Sequence, residues 1–225
     1  PHLCFADKPG YRADGNCRAC MVSIEGERVL AASCIRKPTE GMKVITNDER
    51  SSKSRKMVLE LLVTDQPDRE TSHDPDSHFW NVASSVDVAK SRFDKREKTI
   101  VPCEDASHVA MSVNLDACIH CNLCVRACRE VQVNDVIGMG NRGHHSKVIF
   151  DFNDPMGDSS CVSCGECVQA CPTGALIETS LLDKNNDQTI FPEKQIKSLC
   201  PFCGVGCQTL VSVKDNKIVA VDGQN

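Results

Sequence analysis

Two stretches of this chain carry the same cysteine run: "CIHCNLCVRAC" from Cys118 to Cys128, and "CVSCGECVQAC" from Cys161 to Cys171. Each reads C-x2-C-x2-C-x3-C. Three thiols so close together must wrap one centre on a tight, turning backbone, and the fourth reaches across to a second centre. An internal repeat of this kind makes each half an incomplete unit. The doubled run therefore predicts two [4Fe–4S] clusters. One is expected on Cys118, Cys121, Cys124 and Cys171, the other on Cys161, Cys164, Cys167 and Cys128. Cys171 is followed by Pro172, as the pattern expects, whereas Cys128 is followed by Arg129, which changes the local turn but removes no ligand. Zinc binds C-x2-C pairs, but it does not call for eight thiols in two identical quartets.

The remaining cysteines fall into two further groups. Cys4, Cys17, Cys20 and Cys34 are spaced C-x12-C-x2-C-x13-C, which suits a [2Fe–2S] cluster in a β-rich surround. A structural zinc loop is the alternative on spacing alone. Cys200, Cys203 and Cys207 form a C-x2-C-x3-C trio, an incomplete set for a metal that takes four ligands. Cys103 is the odd thiol, read as an ordinary free cysteine, with a substitute ligand for the trio as the lesser alternative. Disulfides fit this clustering poorly, and the start "PHLCFADKPG" has no basic-then-apolar signal segment. With 16 cysteines but one Trp and one Tyr, the chain forgoes the residues that usually dominate cores, so bound cofactors are expected to help hold it. A formal charge of −5 argues against nucleic acid as a partner. No apolar run approaches the length of a membrane span.

Periodicity places these groups on an α+β chain. Residues 1–46 read as β-rich, with a hairpin turning at Glu25-Gly26 and a further strand in "MKVIT". A helix follows. Thr46 and Glu49 have capping-box spacing, Ser54, Met57, Val58, Leu61 and Leu62 share a face, and Pro67 ends it. The rest of 47–112 reads as an irregular connector, with a short exposed helix possible in "DVAKSRFDKREKT". Residues 113–184 form the compact cysteine-rich unit, with a hairpin in "DVIGMGNRGHHSKVIFDF". Residues 185–197 read as a linker, and 198–225 contain the trio and a hairpin turning at Lys214 to Lys217.

Three resemblances follow from these residues. "CFADKPGYRADGNCRACMVSIEGERVLAASC" resembles the N-terminal [2Fe–2S] domain of the complex I large subunit and its relatives. "CPFCGVGC" followed by a hairpin resembles the start of the molybdenum- or tungsten-bis-pterin oxidoreductases. In that family the trio binds a [4Fe–4S] cluster with a fourth cysteine downstream, here beyond Asn225. The order of the three units resembles the α subunit of cytoplasmic NAD-dependent formate dehydrogenases. That resemblance implies a β-grasp [2Fe–2S] ferredoxin-like domain, a two-cluster [4Fe–4S] ferredoxin domain and the start of a molybdopterin oxidoreductase domain. It implies that the chain is the N-terminal electron-transfer part of a longer polypeptide, with no catalytic residue of its own. The Mo- or W-bis-pterin site would lie in the remainder. FMN and NAD would sit on a partner β subunit, beside a small [2Fe–2S] γ-type subunit.

The chain departs from many such relatives in one respect. They carry a His-ligated site, H-x3-C-x2-C-x5-C, after the first domain. Here no cysteine lies between Cys34 and Cys103, so His73 and His78 have no thiols to partner and that cluster is expected to be absent. His120 is a candidate for tuning a cluster by a hydrogen bond. His144 and His145, in a hairpin turn, and His2 and His108 are read as uninvolved. No G-x-G-x-x-G unit or flavin motif is present for NAD or FMN. The rival functions are an electron-transfer subunit of an NAD-reducing hydrogenase or complex I-like assembly, and a zinc-stabilised interaction module without redox chemistry.

Overall fold

The computed structural model describes residues 1–95, 104–183 and 191–224. Met21–Ile24 (β1), Ala31–Ala32 (β2) and Val44–Ile45 (β3) form an antiparallel sheet in the order β2-β1-β3. Val22 and Ile24 alternate inward along β1, and Gly26, at φ +82, supplies the left-handed turn expected at Glu25-Gly26.

Glu49–Thr64 (α1) starts from a different cap than the sequence suggested. The Asp48 carboxylate accepts the Ser51 N–H at 3.2 Å, in place of a Thr46–Glu49 box. Its buried face also differs. Ser51, Leu59, Glu60 and Val63 are buried, while Leu61 is half exposed. The run "MVLELLV" offers two overlapping apolar stripes. Neighbours select between them: Arg55 Nη1 donates to the Met21 carbonyl at 2.9 Å, turning the helix against β1.

The connector is more ordered than its polar composition suggests. Arg69–Thr71 forms a 3₁₀ turn and His78–Ser85 (α2) a helix whose Phe79, Trp80, Val82 and Ala83 are buried. They share a core with Leu3, Ala19, Leu59, Val63 and Val88. The Phe79 N–H donates to the Pro172 carbonyl at 2.7 Å. Gly174, at φ +71, lies so close that a Cβ there would sit 2.4 Å from Asp74 Cβ. Only glycine fits this approach, which clamps the connector onto the cysteine-rich unit. From 87 to 95 no helix forms; the remainder of the expected helix, and Cys103, lie outside the described residues. Phe79→Ala is expected to cost about 3–5 kcal/mol of stability, read by denaturant unfolding of the metal-loaded chain. A loss below about 1 kcal/mol would mean that α2 is not part of the core.

The cysteine-rich unit contains Glu104–Asp105 (β4), Met111–Asn114 (β5), Leu123–Arg126 (α3), Ile137–Gly140 (β6), Lys147–Phe150 (β7), Glu166–Ala170 (α4) and Leu176–Glu178 (β8). Strands pair β4-β5-β8, and β6–β7 form the expected hairpin. Its core joins Met111, Val113, Ile137, Phe150 and Leu176 to Cys124, Cys128 and Cys167. Lys194–Leu199 (β9), Gln208–Lys214 (β10) and Lys217–Gly223 (β11) make the last sheet. Asp215 and Asn216 both take positive φ at the β10–β11 turn, as a tight hairpin needs. β9 begins inside the stretch 185–197 read as a linker and takes in its last residues, while 185–190 lie outside the described residues. Its exposed "KQIKSL" has no inward apolar face to reveal a strand.

Candidate metal centres

The repeated cysteine runs fold as repeated loops. In the first, His120 and Asn122 take φ of 52° and 62°; in the second, Ser163 and Gly165 take 60° and 76°. These left-handed residues curl the backbone so that N–H groups face sulfur. His120 N–H donates to Cys118 Sγ at 3.4 Å, and Ser163 N–H to Cys161 Sγ at 3.4 Å. α3 and α4 then start at matching positions. Cys128 lies within a π-helical turn, Ala127–Val131, whereas the helix of the second run ends with Cys171 extended before Pro172, so the two runs do turn differently where Arg129 replaces proline.

The two runs are close in space. Cys118, Cys121 and Cys124 each feel the charge of Cys171, Cys124 also that of Cys167, and Cys167 feels Cys164, Cys161 and Cys128. A cavity is lined by Cys128, Cys161, Cys164 and Cys167 with Met111 and Val136 at its walls. Further donors reach its sulfurs. Val136 N–H approaches Cys128 Sγ at 3.3 Å, and Asn134 Nδ2 approaches Cys164 Sγ at 3.9 Å. Thr173 Oγ1 lies 3.6 Å from Cys171 Sγ.

Burial pushes the Cys118 and Cys167 thiols up to about 12 and raises those of Cys121 and Cys124 strongly as well. Such groups become thiolates only when a cation supplies the opposing charge. The donor set, the cavity and the N–H groups aimed at sulfur fit [4Fe–4S] clusters. Among the described residues no three Cys, His, Asp or Glu side chains close around a single metal ion. A cubane does not need that convergence, because its thiolates stand around a four-iron body.

Cys4, Cys17, Cys20 and Cys34 also come together, as two sulfur pairs. Cys17 N–H donates to Cys4 Sγ at 3.5 Å. The hydrogen bond from the Cys17 thiol pulls Cys4 down to about 7, and Cys17 itself is raised by that bond and by burial. Burial, then a hydrogen bond with Cys20, raises Cys34 to about 11. Two pairs suit a two-iron rhomb with two thiolates per iron. Cys200, Cys203 and Cys207 occupy the exposed loop between β9 and β10, closed by a 2.8 Å hydrogen bond from Cys200 N–H to the Cys207 carbonyl. Phe202, beside them, is 92% exposed.

Some polar neighbours escaped the sequence reading. His108 is buried; its Nδ1 accepts the Ala110 N–H at 3.1 Å, leaving Nε2–H to donate to Ser163 Oγ at 3.0 Å, inside the second loop. It is therefore near that centre in space, not only in sequence. His120 reaches Cys118 through its backbone N–H. His73 Nδ1 lies 2.9 Å from the Gly174 carbonyl, and His78 Nε2 lies 2.9 Å from the His2 carbonyl, so both histidines brace the connector. Tyr11 donates to Glu166 Oε1 at 2.8 Å across the domain boundary, and Asn16 Nδ2 to the Cys121 carbonyl at 3.2 Å.

Comparison with known proteins matches each unit separately. A 2Fe-2S iron-sulfur cluster binding domain profile covers residues 1–49, a 4Fe-4S dicluster domain profile 117–175, and a molybdopterin oxidoreductase Fe4S4 domain profile 193–225. The NADP-reducing hydrogenase subunit HndD of Solidesulfovibrio fructosivorans is 30% identical over 201 residues, covering 87% of this chain and 34% of that protein. An NADH-quinone oxidoreductase subunit of Rhizobium meliloti is 28% identical, over 92% of this chain and 24% of its own length. A Staphylococcus haemolyticus protein with a provisional formate dehydrogenase name is 26% identical, over 98% of this chain and 26% of its own length. A crystal structure of an NAD+-reducing [NiFe]-hydrogenase superposes with a TM-score of 0.71 at 27% identity, covering 80% of this chain and 75% of that one. The chain thus spans about a quarter to a third of these curated relatives. Loops, sheets and matches agree on one description: a 2Fe-2S domain, a 4Fe-4S dicluster domain and the opening of a molybdopterin oxidoreductase Fe4S4 domain, joined in that order in an iron–sulfur electron-transfer module.

Proposed function

We propose that this module serves a cytoplasmic, NAD-linked formate dehydrogenase. The observation that carries the reading is the third unit: the hairpin loop of Cys200, Cys203 and Cys207 follows the other two and matches the molybdopterin oxidoreductase Fe4S4 profile. Formate would be oxidised to CO2, a proton and two electrons at a Mo- or W-bis-pterin site elsewhere in a longer polypeptide. That polypeptide would also supply the fourth ligand of the trio. The chain's own residues hold and insulate the path. Fifteen thiols, all free in the structure, would serve as the ligands: Cys4, Cys17, Cys20 and Cys34; Cys118, Cys121, Cys124 and Cys171; Cys161, Cys164, Cys167 and Cys128; and Cys200, Cys203 and Cys207. Buried Met111 and Val136 wall the cavity of the Cys161 group, and buried Leu123 packs against Cys4 and Cys121. Electrons would leave singly, towards an FMN- and NAD-binding partner subunit accompanied by a small [2Fe–2S] subunit. Among the described residues no helix is long and apolar enough to cross a membrane.

A second reading, a hydrogenase-linked module, is favoured by the [NiFe]-hydrogenase neighbour and by HndD. The two are separated by presenting the natural complex, purified anaerobically, with formate or with hydrogen and following visible absorbance. Bleaching by formate, reversed by NAD+, is expected. Bleaching by hydrogen alone would replace the formate reading with the hydrogenase one.

A further inference from the structure

Two of the cysteine groups meet across the domain boundary. Cys4, Cys121 and Leu123 form one buried cluster, flanked by Tyr11, Cys17 and Ile119. Beside it lies Arg126, the last residue of α3, only 2% exposed. Its Nη2 donates to the Cys4 carbonyl at 2.7 Å and to the Cys121 carbonyl at 3.4 Å. Nη1 donates to the Arg12 carbonyl. Nε faces the Asn122 carbonyl and the Asp14 carboxylate, each at 3.4 Å. A guanidinium stays charged at any pH the fold survives. Carbonyl oxygens solvate that charge without neutralising it, and the one carboxylate in contact with it, Asp14, is shared with Arg12, whose Nη1 lies 3.2 Å from it. A buried cation so placed calls for further negative charge close by. Thiolate-bound clusters on both sides would provide it.

We propose that Arg126 makes the centre on Cys4, Cys17, Cys20 and Cys34 and the centre on Cys118, Cys121, Cys124 and Cys171 direct redox neighbours, holding ligand backbones of both and raising both reduction potentials. The inference rests on the proposed ligand assignment. When bound, the two centres would supply one-electron exchange, the loss of one balancing the gain of the other, and this would require no bond change and no proton from the chain. Reduction makes each centre more negative, so a fixed cation beside it favours the reduced form. The path from the Cys4 carbonyl through the guanidinium to the Cys121 carbonyl is hydrogen-bonded throughout. It also answers the gap left where a His-ligated site is lacking, since no intermediate centre is needed between groups already in contact.

The test is an EPR-monitored redox titration of the cluster-loaded full chain carrying Arg126→Gln, Arg126→Lys or Asp14→Asn, with iron counted in each. Arg126→Gln is expected to lower the midpoints of the [2Fe–2S] signal and one [4Fe–4S] signal by tenfold or more in the reduction equilibrium, about 59 mV for one electron. The other [4Fe–4S] midpoint should hold. Arg126→Lys should restore most of the shift, and Asp14→Asn should move the same two midpoints upward, an opposite sign that a merely structural clamp would not produce. Unchanged midpoints in Arg126→Gln or Asp14→Asn, with full iron, overturn the proposal. Should Arg126→Gln fail to hold iron, the Asp14→Asn result decides alone. A wild-type chain without both signal types would instead overturn the ligand assignment.

Discussion

Chelating the iron under reducing conditions is expected to unfold the unit spanning 104–183, leaving no empty but folded domain. Its core counts Cys124, Cys128 and Cys167 among its buried members. Its helices are too short to stand alone: α3 has 4 residues and α4 has 5, against the roughly 12–15 that an isolated helix needs. Its strands run to 4 residues at most. What remains after removing the metal is a set of buried thiols, packed against one another, that lose the ion bridging them. For such a site the free energy of metal binding is largely free energy of folding. Loss of brown colour and loss of circular dichroism should therefore coincide in one transition. An apoprotein that melts cooperatively at the holoprotein's temperature would show that the apolar residues suffice.

The second large effect separates the two crossing cysteines. Cys171→Ser is expected to remove the cluster whose other ligands are Cys118, Cys121 and Cys124, although it lies in the opposite repeat. Cys128→Ser should remove the one on Cys161, Cys164 and Cys167. Each variant should lose about four irons and one of two [4Fe–4S] signals. The signals would be distinguishable because, among the described residues, Cys4 of the first group packs against Cys121 and Arg126 donates to the Cys121 carbonyl. Spin coupling to the [2Fe–2S] centre should therefore vanish in Cys171→Ser and persist in Cys128→Ser. The reverse outcome would mean that each run keeps its own fourth cysteine.

The cysteine groups were legible because ligand spacing is local. C-x2-C-x2-C-x3-C fixes a loop within a dozen residues, and the left-handed residues at 120, 122, 163 and 165 complete it in both copies. Hairpins at 137–150 and 208–223 were legible for the same reason, through turn residues between apolar runs. The connector was not. Phe79 and Trp80 owe their burial to partners at Leu3, Leu59 and Pro172, far away in sequence, and the intervening Asp, Ser and His residues read as solvent-facing. A lone arginine in "CVRAC" carries no pattern, and the contacts of Arg126 depend on Cys4, 122 residues earlier. Nothing local marks His108 either, since its partner Ser163 lies 55 residues on. The inward face of α1 went astray because its apolar stripes overlap and the choice is made by β1.

The most direct test is Mössbauer spectroscopy, with iron and acid-labile sulfide counts, on anaerobically prepared chain. One [2Fe–2S] and two [4Fe–4S] centres predict about ten irons on the first three cysteine groups, in a one-to-four ratio of two-iron to four-iron signal area. Colourless protein containing zinc and no acid-labile sulfide would contradict the account, and the four-thiol sites would then be structural.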